Sequence, residues 1–330
     1  MIDLHLHLDG SLSENDFRIL ANKQGVSLGK TFPDNIYVPA DCPSLEDYLT
    51  RFALPCALLQ DKDSLSYVTE SLVKRLDEKG FVYAEIRFAP LLHLEKGLTQ
   101  LEVAKAVLNG LEKGLKQCKQ LDANIILCCM RHASEEINMG TVEVAHQLKG
   151  TKVVAVDLAG AEALHPSSYY GRIFGKAKEY GLNITIHAGE ATGSDEIMMA
   201  MDNGASRIGH GVHLSLDSKT IARVKKENTC FEFCPTSNLQ TKSLKTYQDV
   251  PLRQFIENNI PVTINSDNMT VSNTDAIREM SIMKKTFNLS QEEVLTLLKN
   301  SVLHAFTSEE NTKALLHKLE ERIDDYYSSL

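Results

Sequence analysis

Apolar positions along this chain switch repeatedly between a period of two and a helical period. The first ten residues, Met1-Ile-Asp-Leu-His-Leu-His-Leu-Asp-Gly10, set Ile2, Leu4, Leu6 and Leu8 on one face and His5 and His7 on the other. That is a β-strand. Ser13 then stands as the N-cap of a helix over 14–24. Residues 25–44 carry glycine and proline without a period and read as a surface excursion. Helical spacing returns over 45–52, with Pro55 placed to kink or end that helix. A longer helix over 64–79 closes on Gly80.

From there strands and helices alternate. Strands are predicted at 81–88, 123–130, 152–158, 183–187, 207–210, 229–233 and 261–266, with helices at 100–120, 134–149, 167–180, 194–203, 218–228 and 252–258. The run at 123–130 is continuously apolar, as a strand covered on both faces must be. With the first strand this makes eight. Alternation of this kind implies parallel strands with covering helices, and eight of them in 330 residues predict an α/β fold, a (β/α)8 TIM barrel forming a single domain over 1–330. No Gly-x-Gly-x-x-Gly follows the first strand, so no dinucleotide site is indicated. Residues 291–330 read as two or three charged helices packed outside the barrel.

Composition narrows the class of partner. The net charge of −9 argues against a nucleic-acid backbone or an anionic membrane surface, and leaves a neutral small molecule open. No apolar run approaches a membrane span. The seven cysteines match no zinc or redox spacing, and reduced, mostly buried thiols are expected. With Ile2-Asp3-Leu4-His5 entered directly, the chain reads as cytoplasmic. Oligomeric state is not encoded in any pattern here.

In a barrel, reactive residues sit at the C-terminal ends of strands. The distinctive polar motifs all fall there: His5 and His7 on the first strand, His187-Ala-Gly-Glu190 on the fifth, Gly209-His210-Gly211 on the sixth, and Ser266-Asp267-Asn268 on the eighth. Three histidines and one aspartate make a nitrogen and oxygen donor set suited to Zn²⁺. Taken singly, each has a plainer reading. His5 and His7 can face solvent, His187 can be a core histidine, His210 a loop histidine and Asp267 an N-cap.

These motifs, with Ile126-Leu-Cys-Cys-Met-Arg-His132, Val156-Asp-Leu-Ala-Gly160 and Glu232-Phe-Cys-Pro-Thr-Ser-Asn238, run in family order across nearly the whole chain. The sequence resembles the adenosine deaminase family, the mononuclear-zinc branch of the amidohydrolases. The resemblance implies one Zn²⁺ per chain held by His5, His7, His187 and Asp267. It implies Glu190 as the proton shuttle and His210, with Asp267, as partner of the reacting water. It places His7 and Asp9 near a ribose, and Gly160 and Asn268 near a purine. Leu49 and Phe52 resemble an apolar flap over the substrate, and read equally well as plain helix core.

The implied activity is hydrolytic deamination of adenosine, and of 2′-deoxyadenosine, in purine salvage. The rival readings are another 6-aminopurine substrate, a non-catalytic binding protein on the same barrel, and a hydrolase of cyclic amides. The absence of a lysine at the end of the fourth strand, where Lys152 lies at the wrong end, favours one metal. Two departures from the family pattern stand out: Asn268 in place of a second aspartate, and Ala161 in Gly160-Ala-Glu162.

Overall fold

The computed structural model describes residues 1–39 and 42–330. Eight strands, β1 (Ile2–His7), β2 (Tyr83–Phe88), β3 (Asp122–Met130), β4 (Val153–Ala159), β5 (Asn183–Ala188), β6 (Arg207–His210), β7 (Cys230–Phe233) and β8 (Val262–Ile264), lie in sequence order. All the neighbouring pairs are parallel. This is the predicted (β/α)8 architecture.

The ring closes between β8 and β1 by an irregular seam. Leu4 donates its N–H to the side-chain oxygen of Asn265 at 3.0 Å. Asp3 accepts from both the N–H and the hydroxyl of Ser266. Asp267 then completes the ladder, its N–H donating to the His5 carbonyl at 2.8 Å and its carbonyl accepting from His7 at 2.7 Å. One ligand candidate is thereby fixed by backbone bonds to two others.

The period-two pattern sorts the strand residues as expected. Ile2, Leu4, Leu6, Ile86, Ile184 and Ile186 are buried beneath the helices. The alternate positions carry buried Asp3, His5, Glu85, Arg87, Asp157, Thr185, Arg207 and Glu232. His5 is fully buried, which disposes of the solvent-facing reading. A charged interior of this kind survives only by pairing. Arg207 bonds Glu85 and Glu232, and its guanidinium lies 3.8 Å over the Phe306 ring.

Helix starts follow their caps. Ser13, Asp61, Thr99, Ser134 and Asp217 each accept a backbone N–H of the first turn, and Gly80 closes the helix Lys62–Glu78 at φ 86°. Pro55 neither kinks nor ends its helix. Leu45–Leu49 passes into a 3-10 turn at Thr50–Phe52, and Pro55 falls in the first turn of a new helix, Ala53–Leu58, where a missing N–H costs nothing. These three short pieces form a cap over one end of the barrel.

Two further helices, Pro235–Gln240 and Ala276–Phe287, were not anticipated from the pattern. The tail forms two helices, Gln291–Leu303 and Glu309–Ser329, outside the barrel as expected. Their connector does more. His304 and Phe306 supply carbonyls to Arg207 and Asn124, plugging the end of the barrel opposite the cap. All seven cysteines are free, five of them buried. Among the described residues no helix is long and apolar enough to cross a membrane.

Candidate active site

His5, His7, His187 and Asp267 converge from β1, β5 and the end of β8, with one donor atom of each lying within 4.8 Å of the others. His7 Nε2 and His187 Nε2 are 3.2 Å apart, and Asp267 Oδ1 lies 3.5 Å from His5 Nε2 and 3.4 Å from His7 Nε2. A tetrahedron with bonds of ~2.0–2.1 Å has edges of ~3.3 Å, so these separations suit a shared ion. His5 Nε2 is buried and has no hydrogen-bond partner. An orphaned imidazole nitrogen facing two others and a carboxylate is the arrangement a metal resolves.

The far nitrogens are held by carboxylates. His5 Nδ1 meets Glu232 Oε2 at 2.8 Å, and His187 Nδ1 meets Asp157 at 3.0 Å. Each contact fixes a ring and its tautomer, leaving Nε2 as the lone-pair donor. Arg87 joins the two, bonding Asp157 at 2.9 Å and Glu232 at 2.8 Å. Burial alone would raise Glu232, but Arg87 and Arg207 hold it well below the usual carboxylate range. Burial pushes His5 down to about 4, so its ring is neutral at pH 7. Gly209 gives the imidazoles room: a Cβ there would stand 3.0 Å from His5 Cε1 and 3.3 Å from the His187 ring.

Above this cluster lies a cavity of about 450 Å³, reached by Glu190, His210, Asp9, Gly160 and Asn268. Leu49 and Phe52 of the cap line it as well. Glu190 is nine-tenths buried and accepts the Thr241 hydroxyl at 3.2 Å, with His210 Nε2 3.7 Å from its other oxygen. His210 and Asp267 both adopt left-handed backbone, at φ 61° and 59°. Such conformations cost energy in non-glycine residues and here aim both side chains at one point. Asp9 sits in the cavity wall with a buried, unpartnered Oδ1, and burial pushes its carboxyl up to about 6. Lys152 pairs with Asp122 at 2.6 Å before the start of β4, away from the cluster.

Several participants escaped the sequence reading. Arg87 was seen only as a strand residue, and Glu232 and Asp157 only as parts of motifs. Asn238, in a motif with no chemistry attached, donates from Nδ2 to His210 Nδ1 at 3.1 Å. Glu162, whose neighbour Ala161 departs from the family pattern, accepts the backbone N–H groups of Gly189, Glu190, Ala191 and Thr192 at 2.5–3.2 Å. A carboxylate next to a strand end, four residues before Pro166, carried no local signal for that contact.

The family model described as Adenosine deaminase matches residues 1–322. A protein from Haemophilus ducreyi named adenosine deaminase is 43% identical over 98% of this chain and 96% of its own. Among solved structures, an adenine deaminase from Arthrobacter aurescens superposes with a TM-score of 0.88 at 25% identity, covering 98% of both chains. A zinc-bound amidohydrolase from Burkholderia ambifaria reaches 0.89 at 17% identity, covering 99% of this chain and 91% of its own, and shows the fold alone. With the whole barrel and the motif-bearing strand ends inside these matches, the chain belongs to the adenosine deaminase family.

Proposed function

We propose that this chain, acting as one domain, hydrolyses adenosine, and 2′-deoxyadenosine, to the inosine product and ammonia with one Zn²⁺ held by His5, His7, His187 and Asp267. The observation that carries the reading is the convergence of those four donors directly beneath Glu190 in a cavity of nucleoside size. Zinc bound there lowers the pKa of water towards ~7.

The chain's own residues supply the remaining steps. The Glu190 carboxyl donates its proton to purine N1 and makes C6 electrophilic. The water oxygen bonds to C6 as one of its protons passes to the Asp267 carboxylate; that proton is then delivered to the amine, the C6–N bond breaks to release ammonia, and the remaining hydroxyl proton returns to Glu190 as the C6 carbonyl forms. His210 acts by alignment. Its Nδ1 accepts from Asn238, which sets the tautomer with Nε2–H turned towards the reacting oxygen. Asp9 receives a ribose hydroxyl, Gly160 and Asn268 flank the base, and Leu49 and Phe52 exclude water above it. Free thiols throughout fit a reducing, cytoplasmic setting.

Ultraviolet absorbance with adenosine, adenine and N6-methyladenosine, before and after chelation, tests this. Adenosine turnover lost on chelation and restored by zinc is the expected result. Faster turnover of adenine or the methylated nucleoside moves the substrate. No turnover of any of them by zinc-loaded protein overturns the reading.

A further inference from the structure

Asn268 follows Asp267 and lines the cavity, and its side chain is fixed from two sides. Its Oδ1 packs against Gly10 so closely that a Cβ on that glycine would lie 1.8 Å away. Its Nδ2 donates to the Tyr48 hydroxyl at 2.8 Å. Tyr48 belongs to the first helix of the cap. The phenol oxygen, accepting from Asn268, also lies 2.8 Å from Ser272 Oγ, a pair in which either hydroxyl can donate. The bonds therefore join Asn268, Tyr48 and Ser272. They tie the cap to the loop after β8.

Other contacts make this junction a built one. Cys42, Tyr48 and Val271 form a small apolar cluster of their own, and Val38 donates its N–H to the Val271 carbonyl at 2.8 Å. Tyr48 is 2% exposed while its neighbour Leu49, on the cavity rim, is 38% exposed. A buried phenol on an otherwise open cap segment is explained by its polar partners.

The hydrogen count gives the junction a role. The Asn268 nitrogen carries two hydrogens, of which Tyr48 takes one. The second is left for whatever occupies the cavity. An aspartate at 268 carries no hydrogen at neutral pH and would accept from Tyr48, reversing the direction of that bond. Tyrosine at 48 and asparagine at 268 are thus chemically matched.

We propose that Tyr48 is a positioning residue: its hydroxyl holds the Asn268 amide with one N–H turned to N7 of a bound purine, so that the cap takes part in reading the base. The inference rests on the deaminase reading and adds to it a residue of the cap, outside the barrel, that sets recognition of the imidazole edge.

The test uses zinc-loaded, full-length protein and two nucleosides that differ at one atom. Purine riboside carries N7; 7-deazapurine riboside carries C–H there. Dissociation constants are measured by titration calorimetry for wild type, Tyr48→Phe and Ser272→Ala, with zinc content and circular dichroism matched. Wild type is expected to prefer the N7 compound. Tyr48→Phe should weaken that compound about tenfold and the deaza compound by less than about twofold. Ser272→Ala, which removes a hydroxyl partner of the phenol and leaves its bond to Asn268, should shift the same preference in the same direction by less. Equal weakening of both nucleosides, no weakening of either, or no N7 preference in the wild type overturns the proposal. Adenosine turnover by the wild type is assayed alongside: its absence fails the functional reading and the proposal with it, whereas turnover without an N7 effect fails the proposal alone.

Discussion

Glu162 holds the backbone at Glu190: its carboxylate accepts the N–H of that residue and of Gly189, Ala191 and Thr192. The residue proposed as the proton shuttle is therefore placed by a second carboxylate, on the loop after β4. Hydrogen bonds to a charged acceptor are worth ~1.5–3 kcal/mol each when removal leaves the donors buried. Glu162→Gln keeps the shape but turns an amide N–H against backbone donors. It should lower kcat for adenosine about 10–100-fold with a smaller change in KM. Steady-state kinetics decide it, and unchanged kcat would show the loop is held by other means.

Arg87 stands between the two carboxylates that orient His5 and His187, and its side chain is fully buried. Arg87→Met leaves Asp157 and half of Glu232 uncompensated in the barrel interior. A loss of about 3–5 kcal/mol in unfolding free energy is expected by urea titration. Wild-type stability in the variant would mean the carboxylates take up protons at no cost.

Glu232→Gln removes the charge behind His5 and keeps the volume. Metal affinity at pH 7 should fall about 10–100-fold, read by competition with a chromogenic chelator. An unaltered affinity would detach Glu232 from the metal site and leave it as a partner of Arg87 and Arg207.

His93, fully buried at the end of β2 with its ring 6.0 Å from that of Phe88, gives a pH dependence of stability. Burial pushes it from 6.5 down to about 4. Between those values the unfolded chain binds a proton that the folded chain excludes, so stability falls as pH falls from 6.5 and levels off below about 4. The span is at most about 3 kcal/mol. His93→Leu should flatten acid unfolding of the metal-free protein followed by circular dichroism. An identical slope in both proteins would place the acid sensitivity elsewhere.

Asp9 faces the cavity with an unpartnered oxygen. Asp9→Ala should raise KM for adenosine about 10–100-fold and leave any turnover of free adenine unchanged. Equal effects on both compounds would recast Asp9 as a structural residue.

The local pattern carried most of the architecture. Seven of the eight strands lay within a residue or two of their expected spans, because periods of two and 3.6 are local properties; the first, expected over 1–10, ends at His7, and Asp9–Ser11 turns into a 3-10 helix. The ligand candidates were legible for a related reason: strand ends in a parallel barrel all point one way, so motifs far apart in sequence converge. The supporting residues were not legible. Arg87 and Glu232 are 145 residues apart, and nothing near either announces the other. The cross-barrel pairing that makes a buried charge tolerable exists only once the ring closes. Pro55 was misread because a proline that ends one helix and a proline that opens the next leave the same local mark.

The seam between β8 and β1 has a consequence for synthesis. His5 and His7 are made well before Asp267, whose backbone bonds to both. A nascent chain still lacking that residue presents two or three imidazoles and no enclosed site. The four-donor cluster is therefore complete only once the last strand arrives, and a metal held there would tie β1 to the end of β8.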